Sequence, residues 1–333
     1  MRTIFLKNKP RIVGAFSIVG PKEGRGPFGE YFDFVMENDM FGEKTYEKAE
    51  RKMIEFAISQ SIEKAKIKKE DIDLMLSGDL LNQIISSSYA ARSFNFPYLG
   101  LFGACSTMAE TIAVGSLLVD GGYLDNVVCS TSSHFSTAER QFRFPLELGN
   151  QRVPTSQWTA TACGSCVLSS KKRKGPYVSA ITFGRVIDFG INDVNNMGAA
   201  MAPSAMDTIL SHFQDTKRKV EDYDLIATGD LGKLGSEILI DLLEDKGLKL
   251  APNYTDFGHV YFSRSEDAMC GASGCGVSAS MFNSFVMRKL LNKEYKRVLF
   301  VPTGALMSTT ASQQGETIPG VSHAIVVECG EEG

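Results

Sequence analysis

The stretch Asp71-Ile-Asp-Leu-Met-Leu-Ser-Gly-Asp-Leu80 recurs later in the chain as Asp222-Tyr-Asp-Leu-Ile-Ala-Thr-Gly-Asp-Leu231, with six of ten positions identical. In both copies an apolar run ends at a glycine, a pattern that indicates a short buried strand followed by a turn. The repeat suggests that the chain contains an internal duplication. One matching decapeptide could arise by chance, so a second pair of matching features is needed.

That second pair follows each decapeptide at a similar distance. Gly103-Ala-Cys-Ser106 leads into an apolar helix (Ser106 to Val119) and then a strand at Asn126 to Ser130. Gly271-Ala-Ser-Gly274 likewise leads into a helix (Val277 to Leu291) and a strand at Arg297 to Val301. Matching elements in the same order predict a duplication of about 150 residues. We place the two halves at residues 1–174 and 175–333.

Helix and strand patterns alternate along both halves. Arg11 to Gly20 is typical of a strand, and residues 44–65 carry apolar positions at helical spacing. Short buried strands are also predicted at Asp73 to Ser77 and Tyr98 to Phe102. Alternation of this kind predicts an α/β fold with a mostly parallel sheet that is covered on both faces.

The composition excludes several classes of function. Hydrophobic residues make up 43% and charged residues 22% of 333 residues, and the net charge is −4 without a block of five like charges. This balance argues against a nucleic-acid partner. The chain carries no apolar stretch of about 18 residues and no signal-peptide pattern at its start. Seven scattered cysteines indicate reduced thiols, so we expect a cytoplasmic protein.

Four motifs resemble those of thiolases and ketoacyl-acyl carrier protein synthases. Gly103-Ala-Cys105-Ser106 is similar to their nucleophile elbow, and Asn196 to Ala205 is similar to the thiolase segment with Met-Gly and a following proline. Thr161 to Leu168 and Pro319 to Glu328 are similar to a glycine-rich strand and to the closing loop and strand. The resemblance covers almost the whole chain. It implies a duplicated five-layer α-β-α-β-α fold.

The closest resemblance is to the stage V sporulation protein AD family of spore-forming bacteria. It implies binding of dipicolinic acid (pyridine-2,6-dicarboxylate), with or without calcium, for uptake into the forespore. It also implies other stage V sporulation A membrane proteins as partners, a peripheral location at the inner forespore membrane, and no cofactor. Thiolase-like proteins further suggest a homodimer in which the strand at Asn126 to Ser132 pairs with its symmetry mate.

The chain departs from the condensing enzymes where their chemistry is carried out. The resemblance places a histidine just after the strand Asp224 to Ala227, where this chain has Thr228-Gly229, and an asparagine near Gly271 to Gly274, where none is present. Gly320 to His323 lacks the second thiolase cysteine. Because these donors stabilise the enolate, the pattern predicts a non-catalytic protein. Two alternatives stay open: a Cys105-dependent condensing enzyme with His134 as base, and a scaffold whose crevice binds nothing.

The candidate ligand-binding residues surround the expected crevice. Cys105 lies at a helix start, where backbone amides and the helix dipole favour anions, and His134 ends the next strand. Each could equally have a purely structural role, and the candidate arginines could be solvated or in surface ion pairs. The full set is Cys105, Ser106, His134, Arg140, Arg143, Ser273 and His323, with Arg185 as a further cation.

Two other motifs are predicted to be structural. The pair Cys163 and Cys166 has redox or zinc spacing, but a lone pair that runs into a strand is weak evidence for metal. We therefore predict no metal site. Lys171 to Lys174 is predicted to be a solvated hairpin tip, or else a weak contact for an anionic membrane surface.

Overall fold

The two halves of the duplication form two five-stranded sheets with the same strand order. The structure is a computed structural model that describes residues 1–142, 152–172, 174–250, 252–262 and 268–329. The strands are β1 (Thr3–Phe5), β2 (Arg11–Val19), β3 (Phe34–Val35), β4 (Leu74–Gly78), β5 (Tyr98–Gly100), β6 (Asn126–Ser133), β7 (Trp158–Thr159), β8 (Ala162–Ser169), β9 (Tyr177–Thr182), β10 (Leu225–Gly229), β11 (Tyr254–Asp256), β12 (Ala272–Ser273), β13 (Arg297–Ala305), β14 (Gly320–Ser322) and β15 (Ala324–Glu328).

The helices occupy the connections between these strands. They are α1 (Pro21–Gly24), α2 (Tyr46–Ala65), α3 (Ile85–Ala91), α4 (Thr107–Asp120), α5 (Phe135–Phe142), α6 (Met197–Thr216), α7 (Gly232–Glu244), α8 (Phe257–Tyr261), α9 (Cys275–Met281), α10 (Met287–Leu291) and α11 (Thr309–Gln313). A π-helical stretch, Phe282–Val286, joins α9 to α10. The predicted helix at Val277 to Leu291 is therefore interrupted by a turn of wider pitch.

The strand pairings of the two sheets correspond one to one. The first sheet has the order β5-β4-β6-β8-β2 and the second has the order β11-β10-β13-β15-β9. In each sheet the decapeptide strand, β4 or β10, is parallel to both neighbours, and the last two pairings are antiparallel. The sheets meet where Arg11 pairs with Tyr177. The expected boundary at residue 174 falls in the connection between β8 and β9.

Helices cover both sheets and fill the space between them. α2 and α3 pack on the outside of the first sheet, and α6 and α7 pack together outside the second. α4 and α9 lie between the sheets, where Ile112, Phe282 and Phe300 are fully buried in one core. Thr45 precedes α2 and caps it, because its side chain accepts a hydrogen bond from the Lys48 amide. The five-layer α-β-α-β-α fold expected from the resemblance is confirmed.

Two expectations about the sheets are wrong. The sheets are not mostly parallel, since each half contributes two parallel and two antiparallel pairings. β6 was expected to pair with a symmetry mate, but it is enclosed, since it pairs with β4 on one side and with β8 on the other. The first sheet ends instead at β5, which pairs with β4. A buried strand after the nucleophile helix could not be told from an edge strand by its apolar sequence, because both have the same local pattern.

Across the described ranges, no helix has the length and apolar character that would be needed to cross a membrane.

Candidate ligand site

Cys105 lies at the tip of a tight turn between β5 and α4. Ala104 has φ of +48°, a left-handed conformation that is costly for a residue with a side chain. The Ser106 amide donates to the Gly103 carbonyl (3.0 Å), and the Gly103 amide donates to Thr107 Oγ1 (3.1 Å). The predicted nucleophile elbow is therefore present in the fold.

The second half of the chain packs closely against the elbow. β13 passes so close that a Cβ at Gly304 would lie 2.1 Å from the Gly103 carbonyl oxygen. Only glycine fits at such a close approach between backbones. The position of Cys105 is thus fixed by contact between the two sheets and not by the turn alone.

A cavity opens in front of Cys105. Its volume is about 510 Å³ including its mouth. The wall is mostly apolar and consists of Leu80, Phe102, Ala104, Cys105, Ala138, Glu139, Phe142, Thr159, Met197, Ser273, Ala305 and Met307.

A two-stranded parallel sheet supplies the polar part of the wall. β7 pairs with β12, and the register sets Thr159 opposite Ser273. The Trp158 amide donates to the Gly271 carbonyl (2.8 Å) and the Ala160 amide donates to the Ser273 carbonyl (2.9 Å). Ser273 lines the cavity, at the segment where the resemblance expects asparagine.

A buried ion pair lies beside Thr159. Thr159 Oγ1 donates to Glu139 Oε1 (3.0 Å), and Arg152 Nη2 is 3.2 Å from Glu139 Oε2. The Glu139 side chain is 1% exposed and the Arg152 side chain 20%. None of these three residues was predicted from the sequence. No motif marks them, because they come together from α5, from the loop before β7 and from β7.

His134 does not face this cavity. It is fully buried, its Nε2 lies 2.8 Å from the Asp39 carbonyl oxygen, and its Nδ1 accepts from the Ser136 amide (3.2 Å). Nδ1 is thus unprotonated and Nε2 donates. Burial lowers the pKa of His134, which keeps the ring neutral. The predicted roles as an imidazolium ligand or as a base for Cys105 do not fit, because both ring nitrogens are bound to backbone.

The remaining candidates lie in other surroundings. Ser106 is buried and donates to the Gly103 carbonyl (2.7 Å), while His323 accepts from the Gly184 amide (3.2 Å) at Nδ1, and burial lowers its pKa to about 4. Arg140 is not on a loop but on α5, where it forms an exposed ion pair with Glu47. Arg185 is exposed and pairs with Asp207 (2.6 Å). Arg143 lies outside the described residues.

The first amides of α4 are also occupied. The Ser106 amide donates to Gly103, and the Thr107 amide donates to the Ala104 carbonyl (3.2 Å). A ligand carboxylate would have to displace these bonds.

Several titratable groups are buried around the elbow. Cys275, at the start of α9, shares an apolar cluster with Cys105 and donates its thiol to the Ser132 carbonyl (2.9 Å). Burial, with Cys105 second, raises the pKa of Cys275. Glu50 accepts from Ser132 and Thr137 (both 2.9 Å), and burial, followed by the charge of Asp79, raises its pKa to about 8.

The cysteine pair at redox spacing has a structural position. Cys163 and Cys166 are fully buried within β8, and burial raises the pKa of Cys163 to about 12. Within the described residues, no group of three or more histidine, cysteine or acidic side chains is arranged to hold a metal ion.

The comparison with known proteins decides the family. The model of the family "Stage V sporulation protein AD" matches residues 1–328. The chain belongs to this family. A relative in it, stage V sporulation protein AD of Bacillus subtilis (strain 168), is 44% identical over 314 residues, which cover 94% of this chain and 93% of the relative. The protein is thus a sporulation protein of this family.

Solved structures of other proteins share the fold of this chain. 3-Oxoacyl-[acyl-carrier-protein] synthase III from Aquifex aeolicus is 11% identical, with a TM-score of 0.57, and the match covers 96% of this chain and 99% of that one. Cerulenin-bound OleA from Xanthomonas campestris is 12% identical, with a TM-score of 0.63 over 97% and 98% of the two chains. At such identities the likeness establishes the fold alone: this member of the stage V sporulation protein AD family has the thiolase-like fold.

Proposed function

We propose that this protein is a non-catalytic binding protein that holds dipicolinate for its uptake into the forespore. The observation that carries the proposal is the cavity at Cys105, which keeps the elbow of a condensing enzyme but has no histidine in its described wall. Each missing enolate donor costs on the order of a hundredfold or more in rate. A fold without those donors can still hold a ligand in the same place.

The lining of the cavity suits an aromatic acid. Apolar side chains such as Phe102, Phe142 and Met307 can cover the faces of a pyridine ring. Thr159 and Ser273 offer hydroxyl groups on one side, next to the ion pair of Glu139 with Arg152. The identity of the ligand itself rests on the family resemblance.

Equilibrium binding tests the proposal directly. Calorimetric titration with dipicolinate, with and without calcium, should give saturable binding at one site per chain, whereas pyridine without carboxylates should not bind. The absence of saturable binding under both conditions would leave the scaffold hypothesis in its place.

A condensing or acyl-transfer enzyme is the second candidate, and the retained elbow at Cys105 favours it. It requires a covalent acyl-thioester on Cys105. Intact mass measurement after incubation with acetyl-CoA or malonyl-CoA separates the two candidates. We expect no mass increase on Cys105.

We also propose that the protein acts at the surface of the inner forespore membrane, next to other stage V sporulation A proteins. The location itself rests on the family resemblance. One groove is lined by four lysines (Lys66, Lys68, Lys171 and Lys172) and by four acidic residues (Glu70, Asp71, Asp73 and Asp125), and Lys171 pairs with Asp125 (3.0 Å). The groove lies at the end of the first sheet opposite Cys105. Each exposed lysine near an anionic bilayer contributes about 1 kcal/mol. Reversing the charges of Lys171 and Lys172 should reduce sedimentation with phosphatidylglycerol vesicles.

Finally, we propose that the protein is a homodimer in which β5 pairs with its symmetry mate. β5 is the edge strand of the first sheet. Leu99 within this strand and Phe102 just after it are 46% and 47% exposed. An open strand edge with exposed apolar side chains is an association site, and twofold pairing covers it. Phe102 also lines the cavity, so pairing along β5 would lie next to the ligand.

A further inference from the structure

We propose that Arg152 is the receptor for a carboxylate of the ligand, and that Glu139 occupies this receptor while the cavity is empty. The inference rests on the proposed function, because it names the group that recognises the dicarboxylate. Glu139 lines the cavity, and Arg152 lies directly behind it, 3.2 Å from Oε2. Glu139 is then an internal stand-in for the ligand's carboxylate.

The guanidinium of Arg152 is held firmly in place. Its Nη1 donates to the Gln157 carbonyl (2.9 Å), and its carbon atom lies 4.7 Å from the ring centre of Trp158 and 5.5 Å from that of Phe135. These two rings stack on each other at 4.1 Å. A guanidinium that is fixed by an aromatic pair loses little further freedom when it binds a planar carboxylate.

The composition of the cavity wall makes this arginine decisive. The described residues that line the cavity include no lysine, arginine or histidine, whereas a dicarboxylate brings two negative charges. A buried carboxylate without a counterion is very unfavourable. Among the described residues, Arg152 forms an ion pair with the wall residue Glu139, and Thr159, which now donates to Glu139, lies beside it. A ligand carboxylate that replaces Glu139 would find both donors in position.

Exchange of Glu139 for a ligand carboxylate sets a rule for how charge at this position affects affinity. Because Glu139 already pairs with Arg152, a ligand carboxylate reaches the guanidinium only if Glu139 moves aside. Glu139 therefore competes with the ligand and weakens binding of acids that cannot displace it. Removing its charge should strengthen binding, while removing the charge of Arg152 should weaken it.

Calorimetry on the full chain with dipicolinate as the probe tests this rule. Glu139→Gln should bind about tenfold tighter than wild type, and Arg152→Gln tenfold to a hundredfold weaker, the size of one lost charged hydrogen-bond partner. Arg152→Gln should cost more in the Glu139→Gln background, because only there is the guanidinium free of its competitor. Arg140→Gln, one residue from Glu139 but paired with exposed Glu47, is the matched control and should bind as wild type.

The outcomes separate this inference from the proposed function. If wild type binds dipicolinate but Arg152→Gln binds equally well, or Glu139→Gln binds more weakly, the receptor assignment is overturned and the proposed function stands. Weaker binding by Glu139→Gln would mean that Glu139 contacts a cation carried by the ligand. If neither wild type nor Glu139→Gln binds dipicolinate, both proposals fail. Thermal unfolding of each variant checks its folding, and the Glu139→Gln result decides alone if Arg152→Gln does not fold.

Discussion

Thr159 and Ser273 stand opposite each other in the parallel pair of β7 and β12, although they belong to different halves of the chain. Their strands form a small sheet apart from the two large ones, and both side chains line the cavity at Cys105. The polar wall of the cavity therefore exists only when both halves are folded against each other. This makes the cavity a product of contact between the two halves.

Replacing Ser273 by asparagine tests what this wall does. Ser273→Asn restores the residue type that the condensing enzymes are expected to carry, but its larger side chain would take up space in the cavity. We expect dipicolinate binding to fall at least about tenfold, with no gain of malonyl-thioester decarboxylation, because the described wall still lacks a histidine. Clear decarboxylation by this variant, or by wild type, would contradict the non-catalytic assignment.

Substitutions at Cys105 distinguish ligand binding in the cavity from thiol-dependent catalysis. Cys105→Ser should bind dipicolinate nearly as wild type, because binding asks nothing of the thiol. Cys105→Leu should abolish binding, since the larger leucine side chain fills part of the cavity. Calorimetry on both variants is the measurement, with Cys329→Ser, away from the cavity, as control. A Cys105→Ser variant that lost all binding would point to a covalent or thiolate-dependent step instead.

His134→Ala should change stability and not affinity. The imidazole links Asp39 to the loop before α5 and lies entirely in the interior, so its loss leaves two backbone groups without partners. We expect unfolding to become easier by about 1–3 kcal/mol in denaturant titrations. Dipicolinate affinity of the folded variant should be unchanged. A large loss of affinity without loss of stability would restore His134 to the ligand site.

Glu50 should make stability fall as the pH rises. Its pKa is raised from 4.5 to about 8, first by burial and then by the charge of Asp79, so the folded state favours the neutral acid. This contribution is fully present below 4.5 and is lost as the pH rises through about 8. Denaturant unfolding across this range should show a steeper loss for wild type than for Glu50→Gln. Glu63→Gln, exposed on the same helix, should follow wild type, and equal slopes for all three would contradict the argument.

The proposed dimer can be tested at the edge strand. Leu99→Asp places a charge on the open side of β5 and should convert a dimer into a monomer, because a buried unpaired charge opposes strand pairing. Light scattering at micromolar concentration measures the mass. Tyr123→Asp, at a highly exposed position away from β5, is the control and should stay dimeric. A monomeric wild type would refute the dimer itself.

Much of the fold followed from local sequence. The repeated decapeptides became β4 and β10, and the apolar spacing of Met53, Ile54, Ala57, Ile58 and Ile62 became the buried face of α2. The elbow at Cys105 could be predicted because a glycine before a small-residue helix start is a contiguous motif. These features depend on neighbours within a few residues, and such neighbours are visible in the sequence.

The binding groups were decided by tertiary structure. His134 follows a strand just as a ligand residue would, yet its ring turns toward the Asp39 carbonyl, which comes from a segment far earlier in the chain. Arg152 and Glu139 carry no motif, and they meet because α5 and the loop before β7 converge beside the cavity. The strands, the helices and the repeat that relates them were determined by sequence, since hydrophobic period and turns are local. The order of the strands and the polar side chains that face the cavity were determined by tertiary packing, since strand pairing joins distant segments and burying a charge requires a partner that only the assembled fold provides.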